Sequence, residues 1–311
     1  MARVLRQYRR AESIGEAKAK DGVFVGLLKS LRPKQWTKNL LVFAGLVFSG
    51  QALNSDYWPL VLGVFAAFCL LAGAIYLYND VLDREKDKLH PKKNLRPIAA
   101  GIVAPGLALV VAAILAGFGL VLAFIAGHAV GYLGLGYLAL NLAYSAKLKA
   151  VPLIDLFVVA TGFVFRAVAG VAAVEAELSP WFLLCTVLLS FLLILGKRRH
   201  ELMLLDQEAG NHRAVLGLYS RLFLDQMISV ITTATLISYF LYTFFSEAAK
   251  LHQHDLMWTI PPVLYGMFRY LYLIYEEGKG GEPEELLLQD WGILGSVLVW
   301  GISVVVILYL L

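Results

Sequence analysis

Charge is scarce in this chain. Only 16% of its 311 residues are Asp, Glu, Lys or Arg, against 59% hydrophobic, and the mean hydropathy is +0.70. A soluble domain of this length has no use for so much apolar surface, which points to a membrane as the solvent. Cysteine is nearly absent. Cys69 and Cys185 lie inside apolar runs and are expected as small buried hydrophobes, neither a disulfide nor a metal pair. Short alternating strands are lacking, which disfavours a transmembrane β-barrel. The start of the chain carries Arg3, Arg6, Arg9 and Arg10 without the apolar core and small-residue cleavage site of a removable signal peptide. No linker or low-complexity stretch divides the chain. The histidines show no metal-ligand spacing, and His128, His252 and His254 are expected in water on the outer side.

Apolar stretches of about 20 residues, long enough to cross a bilayer core as helices, recur instead. They fall near 38–55, 57–79, 105–126, 130–147, 152–174, 180–197, 225–246, 256–275 and 290–310. Helices follow because lipid cannot satisfy open backbone polar groups. The expected fold class is an all-α integral membrane protein of about nine transmembrane helices. A basic N-terminal segment, 1–37, precedes the membrane domain, 38–311, and Val23–Ser30 could lie as an interfacial helix.

Cations set the orientation. Ten Lys or Arg precede or open the first span, and six follow the second: Arg84, Lys86, Lys88, Lys92, Lys93 and Arg96. Lys147 and Lys149 follow the fourth span, Lys197, Arg198, Arg199, Arg213 and Arg221 the sixth, and Lys279 the eighth, whereas the opposite side holds Lys250. The positive-inside rule therefore places the N-terminus and these loops in the cytoplasm and the C-terminus outside, as for a multi-pass protein of a bacterial cell membrane. The basic loops also suit anionic lipid, with no nucleic-acid partner expected. The charged exits after the second and sixth spans lie four spans apart, a hint of an old duplication.

The segment YLYNDVLDREKDKLHPKKNLRPIAAG, residues 76–101, is harder to explain by orientation alone. If the second helix continues past Asn79, then Asp80, Asp83 and Asp87 share one face at i, i+3 and i+7. Acids near a helix C-terminus oppose its dipole, and like charges one turn apart repel. A run that breaks local rules in this way points to function. Clustered carboxylates suit Mg²⁺, which takes one or two of them together with substrate phosphates. The alternative is a solvated helix end whose aspartates pair with Arg84, Lys86 and Lys88. Lys92, Lys93 and Arg96 follow within about two turns, and acids beside such cations describe a polyphosphate site. Pro91 and Pro97 should hold this stretch as a loop.

NDVLDREKD resembles the N-D-x-x-D-x-x-x-D motif of the UbiA superfamily of intramembrane prenyltransferases. Further segments narrow the resemblance to its decaprenyl-phosphate phosphoribosyltransferase branch: LRPKQWTKNLLVFA (31–44), HPKKNLRPIAAG (90–101), YSAKLKAVPLIDL (144–156), FRAVAG (165–170), GKRRHEL (196–202) and GEPEEL (281–286). The resemblance implies a UbiA-type bundle with a cytoplasm-facing polar cavity, a catalytic membrane domain, and Mg²⁺ held by Asp80, Asp83 and Asp87. It implies phosphoribosyl diphosphate (PRPP) as donor and a polyprenyl phosphate lipid as acceptor, towards decaprenyl-phosphoryl arabinose for cell-wall arabinan. Ordinary members of the superfamily carry a second aspartate-rich motif after the sixth helix. Here that place reads Gly196-Lys197-Arg198-Arg199-His200-Glu201, with only Glu201 and Asp206 acidic.

Substrate-binding residues expected on this basis are Lys34, Lys38, Asn79, Lys92, Lys93, Arg96, Tyr144, Lys149, Arg166, Lys197 and Arg198. Lys34 and Lys38 would enter the first span beside Gln35 and Asn39; Trp36 and snorkelling lysines could equally serve as interfacial anchors. Asp155 would be a metal ligand or a partner for Lys149. Arg166 lies about 16 Å further along the fifth helix, a depth at which a charge must face the bundle interior. Arg269 has no evident partner, and Glu282, Glu284 and Glu285 would shape the cytoplasmic mouth. Two other functions stay open: a prenyltransferase with an aromatic acceptor, which would need the missing second acidic motif, and a non-enzymatic carrier of phosphorylated lipid, which would not need the aspartates. Oligomeric state is not legible in the sequence.

Overall fold

A computed structural model describes residues 22–90, 93–205, 214–251, 255–281 and 283–310. Every regular element among them is helical. In chain order the α-helices are α1 (Val23–Ser30), α2 (Val42–Phe48), α3 (Tyr57–Leu82), α4 (Arg84–Leu89), α5 (Pro105–Ala126), α6 (His128–Ala146), α7 (Ile154–Ala173), α8 (Pro180–Leu205), α9 (Arg221–Phe245), α10 (Glu247–Leu251), α11 (Ile260–Tyr275), α12 (Pro283–Gln289) and α13 (Trp291–Tyr309).

Six of these, α3, α5, α7, α8, α9 and α13, are long and apolar enough to cross a membrane. The chain is a multi-pass membrane protein. Of the remaining expected spans, 130–147 corresponds to the 19-residue α6, and the other two to the shorter α2 and α11. The segment 38–55 is not one continuous α-helix: a 3-10 helix, Pro33–Leu41, leads into the two-turn α2, and the chain turns away at Gly50 with φ +73°. The segment 256–275 likewise opens with a 3-10 turn, Asp255–Thr259, before α11. The expected helix over Val23–Ser30 is present as α1. It buries Gly26 and Ser30 while Phe24 is 72% exposed.

Of the four apolar clusters in the described bundle, α7 contributes to the two largest. Val42, Leu46, Phe68, Leu71 and Tyr137 pack with Ala169 and Ala173 of α7. Leu192, Leu195, Leu224, Ile228 and Leu273 pack with Leu156 and Ala160 of the same helix. Its end nearest Asp155 thus belongs to the second half and its far end to the first. Where α2 crosses α7, a Cβ on Gly45 would strike the backbone of Gly170 and Val171, and a Cβ on Gly170 would strike the Val42 carbonyl. Only glycine permits this approach. It holds Asn39, just before α2, against Arg166, one turn before Gly170.

Candidate active site

The polar residues gather where α3 ends. Asn79 and Asp80 lie in its last turn, and the helix stops at Leu82. Asp83 leaves helical geometry at φ −89° and ψ 2°, and α4 begins at Arg84. The regular helix expected through Asp80, Asp83 and Asp87 is therefore interrupted at Asp83, while the Asp83 and Asp87 amides still bond the Asn79 and Asp83 carbonyls at 2.9 and 2.8 Å. Tertiary contacts gather the acids instead. Arg96 Nη1 donates to Asp80 Oδ1 at 3.1 Å and to Asp87 Oδ2 at 2.7 Å. Arg32 Nη2 also donates to Asp80 Oδ1, with its guanidinium 4.8 Å from the Tyr76 ring centroid. Lys149 Nζ donates to both oxygens of Asp83, at 2.7 and 2.8 Å, and to Asn79 Oδ1 at 3.3 Å.

The pairing of these aspartates with Arg84 and Lys88, left open by the sequence, is not what forms. Both cations turn to Glu85, at 3.5 and 2.7 Å. Asp80 is 2% exposed and Asp87 is also buried, so each needs a partner from elsewhere in the fold. The loop after α4 supplies one cation, the segment before α2 a second, and the connection between α6 and α7 a third.

A second cluster adjoins the first. Asp155, fully buried in the first turn of α7, accepts from Arg198 Nε at 3.1 Å and from the Tyr219 hydroxyl at 2.7 Å. Lys149 is thus not its partner, because that ammonium is taken up by Asp83. Arg198 also donates to Glu201 Oε2 at 2.8 Å and reaches the Tyr144 hydroxyl at 3.5 Å. The Tyr219 hydroxyl in turn accepts from the Leu153 amide at 2.7 Å. Its pKa is pushed up to about 12, first by burial and then by the hydrogen bond to Asp155, so it remains a donor through neutral pH. Arg199 donates to Asp225 at 2.6 Å and to the Ile274 carbonyl at 3.0 Å, with Tyr275 against its guanidinium.

Arg166 lies apart, inside the bundle as expected from its depth. Its Nε, Nη1 and Nη2 donate to Asn39 Oδ1 at 2.6 Å, the Gly162 carbonyl at 2.6 Å and the Tyr137 hydroxyl at 2.7 Å. All three partners are neutral. Lys34 is exposed and lies 3.6 Å from Glu285; Lys38 donates to Gln35. Arg269, for which the sequence offered no partner, holds Asp290 at 2.8 and 3.1 Å and Glu277 at 3.5 Å. The Lys93 amide donates to His90 Nδ1 at 3.3 Å. Lys197 is half-buried and lies inside α8, which continues past the expected span end at 197 to Leu205. Lys92, Asp206, Arg213, His252, His254 and Glu282 lie outside the described residues.

The sequence profile of the UbiA prenyltransferase family matches residues 40–196, which include Asn79–Asp87 and Lys149. This chain belongs to the UbiA prenyltransferase family. A UbiA homolog from Archaeoglobus fulgidus, bound to GPP and Mg²⁺, aligns with a TM-score of 0.70 at 20% identity over 90% of this chain and 99% of its own. Among curated relatives, the decaprenyl-phosphate phosphoribosyltransferase of Mycolicibacterium smegmatis is 37% identical, over 85% of this chain and 86% of its own length. The enzyme of that name from Corynebacterium glutamicum is 35% identical, over 92% and 87%.

Within this UbiA site, Asn79, Asp80, Asp83 and Asp87 offer only oxygen donors, the chemistry a hard divalent cation takes. The donor set therefore fits a metal. Among the described residues, however, no three acidic, histidine or cysteine side chains close on a single point. Their carboxylates hold Arg32, Arg96 and Lys149 instead. Arg32 and Tyr219 are the two site residues that sequence reasoning did not assign. Arg32 stood in a run of cations with nothing to distinguish it, and Tyr219 stood among ordinary aromatics; both acquire their roles through contacts 48 and 64 residues away in the chain.

Proposed function

We propose that this UbiA-family protein transfers a 5-phosphoribosyl group from PRPP to a polyprenyl phosphate and releases diphosphate. The observation that carries this reading is the asymmetry of the site. The acidic cluster Asp80, Asp83 and Asp87 has no acidic counterpart in the stretch of α8 where Lys197, Arg198 and Arg199 stand. The similarity to decaprenyl-phosphate phosphoribosyltransferases over most of both chains supports it. In this proposal the bundle crosses a bacterial cell membrane nine times, α6, α11 and the 3-10 helix Pro33–Leu41 with α2 completing the six candidate spans. The site opens to the cytoplasm through a polar cavity, the C-terminus lies outside, and residues 38–311 form the catalytic unit. The product would feed decaprenyl-phosphoryl arabinose and cell-wall arabinan.

In the reaction the bond from ribosyl C1 to the diphosphate oxygen breaks, and the diphosphate departs with the electron pair. A lipid phosphate oxygen forms the new bond to C1. That oxygen is already anionic at neutral pH, so no strong base is required. The protein must hold two polyanions together and stabilise the charge developing on the leaving group. Asn79, Asp80, Asp83 and Asp87 would hold Mg²⁺, which when bound neutralises a diphosphate leaving group. Arg32, Arg96 and Lys149 lie against the same acids and supply fixed positive charge for phosphate oxygens. Arg198 and Arg199 are neutralised by Asp155, Glu201 and Asp225, so they build the wall of the site, with Lys197 beside them. Arg166 ties Asn39, just before α2, to Tyr137 of α6.

The test is direct. Purified protein in lipid is incubated with labelled PRPP, Mg²⁺ and decaprenyl phosphate, and label is expected in the lipid phase. A parallel incubation with a prenyl diphosphate and 4-hydroxybenzoate is expected to yield nothing. A prenylated aromatic product with no labelled lipid would overturn the proposal.

A further inference from the structure

Leu153 has φ +64° and ψ −43°, a backbone conformation that L-residues with a Cβ rarely adopt. The Ile154 amide donates to the Pro152 carbonyl at 2.7 Å. Together these make a three-residue γ-turn of the positive-φ kind, which is rare and strained. Strain of this sort persists only where the surroundings over-determine it, and it gathers at functional sites. The turn sits between Lys149, which reaches Asp83, and Asp155, which holds Arg198.

One oxygen atom secures the turn from outside. The Tyr219 hydroxyl accepts the Leu153 amide at 2.7 Å and donates to Asp155 Oδ1 at 2.7 Å. Tyr219 is itself buried and stacks on Phe223, with centroids 5.8 Å apart and planes at 11°. Its ring is therefore held from the α9 side while its hydroxyl bridges backbone and carboxylate on the α7 side. Nothing else in the described structure bonds the Leu153 amide.

We propose that Tyr219 is a positioning residue: its hydroxyl locks the strained Leu153 turn and so delivers Lys149 to Asp83 while keeping Asp155 on Arg198. It rests on the proposed phosphoribosyl transfer only for its kinetic consequence; the lock itself is a property of the fold. The Tyr219 hydroxyl is engaged by the Leu153 amide and by Asp155. It acts through the loop, so its loss should slow turnover by misplacing Lys149 and leave the stacking on Phe223 intact.

The test uses Tyr219→Phe, Leu153→Gly and the double variant of the full chain in nanodiscs. Hydrogen exchange of the amides from 149 to 155 should accelerate at least about tenfold in Tyr219→Phe, with α8 and α9 unchanged. The kcat/KM for PRPP should fall about tenfold or more, equivalent to at least about 1.4 kcal/mol. Glycine bears the positive φ without strain, so in the Leu153→Gly background the same tyrosine change should cost less than about threefold. A general packing role for Tyr219 would give equal losses in both backgrounds, and that result overturns the proposal. So does exchange at 149–155 unchanged from wild type. If wild-type protein forms no labelled lipid, the transfer reading fails, and the exchange result alone then decides the lock: acceleration confined to 149–155 supports it, and no acceleration removes it.

Discussion

Lys149 reaches Asp83 across 66 residues of chain, with its ammonium nitrogen 2.7 and 2.8 Å from the two carboxylate oxygens. The contact ties the connection before α7 to the break between α3 and α4. Both side chains are about one-quarter exposed, so the pair faces the site and water rather than the apolar core. Replacing Lys149 with Met keeps the stem and removes the charge. A charge-assisted contact is worth about 1.5–3 kcal/mol, which corresponds to roughly 10- to 150-fold. The kcat/KM for PRPP is expected to fall by that factor, with Lys149→Arg retaining part of it. Values for the Met variant within twofold of wild type would remove Lys149 from the site.

Asp80 and Asp83 are expected to be indispensable. Asp80→Asn and Asp83→Asn keep the size and lose the charge that a divalent cation needs, so each should abolish transfer of label into lipid. EDTA should do the same to wild type, reversed by excess Mg²⁺. Calorimetric titration of Mg²⁺ with PRPP present gives an independent readout, and unchanged heats in both variants would exclude these acids as ligands.

Arg198 and Lys197 should separate cleanly. Arg198 is 4% exposed and partners a fully buried Asp155. Arg198→Gln leaves that carboxylate without its cation, a change that typically costs about 3–5 kcal/mol. Thermal unfolding in detergent should show a large loss of stability. Lys197→Gln, at a half-buried position, should unfold like wild type and show its effect in kinetics. Two variants of equal stability would contradict the structural role of Arg198.

Asp290 caps α13, accepting from the Ile293 amide at 3.0 Å, and pairs with Arg269. The Arg269 hydrogen bond is the main reason its carboxyl titrates below the usual range. A depressed folded pKa contributes stability above the unfolded value, near pH 3.9, and loses it as pH falls through the folded one. Asp290→Asn preserves a capping oxygen and removes the charge. Wild type should therefore exceed the variant by about 1 kcal/mol at neutral pH, the scale of a partly exposed pair. The two melting curves should converge as the solution is acidified below about pH 4. A gap that does not narrow on acidification would place the effect outside this carboxyl.

The sequence by itself determined the solvent, the element type and the location of the acids. Apolar runs too long for a soluble core force helices into lipid, and α5, with its bounds at 105 and 126, lies where hydropathy alone put it. The Asn79–Asp87 run was legible because charge at the end of an apolar helix has no local justification. Helix breaks were less legible, since the change from 3-10 to α-helix around Leu41 and the stop at Asp83 depend on neighbours. Partners were not legible at all. Charge patterning could assign Lys149 equally to Asp155 or to Asp83, and only the approach of α7 to α3 gives Asp83 the ammonium and leaves Asp155 to Arg198 and Tyr219. Arg32 is an ordinary surface cation in one dimension, and for Arg96 and Lys149 the resemblance pointed to a substrate and not to the carboxylates they hold. Folding brings Arg32 and Arg96 to buried carboxylates because the desolvation of Asp80 and Asp87 must be offset by opposite charge, while Arg84 and Lys88, closer in the chain, turn to Glu85.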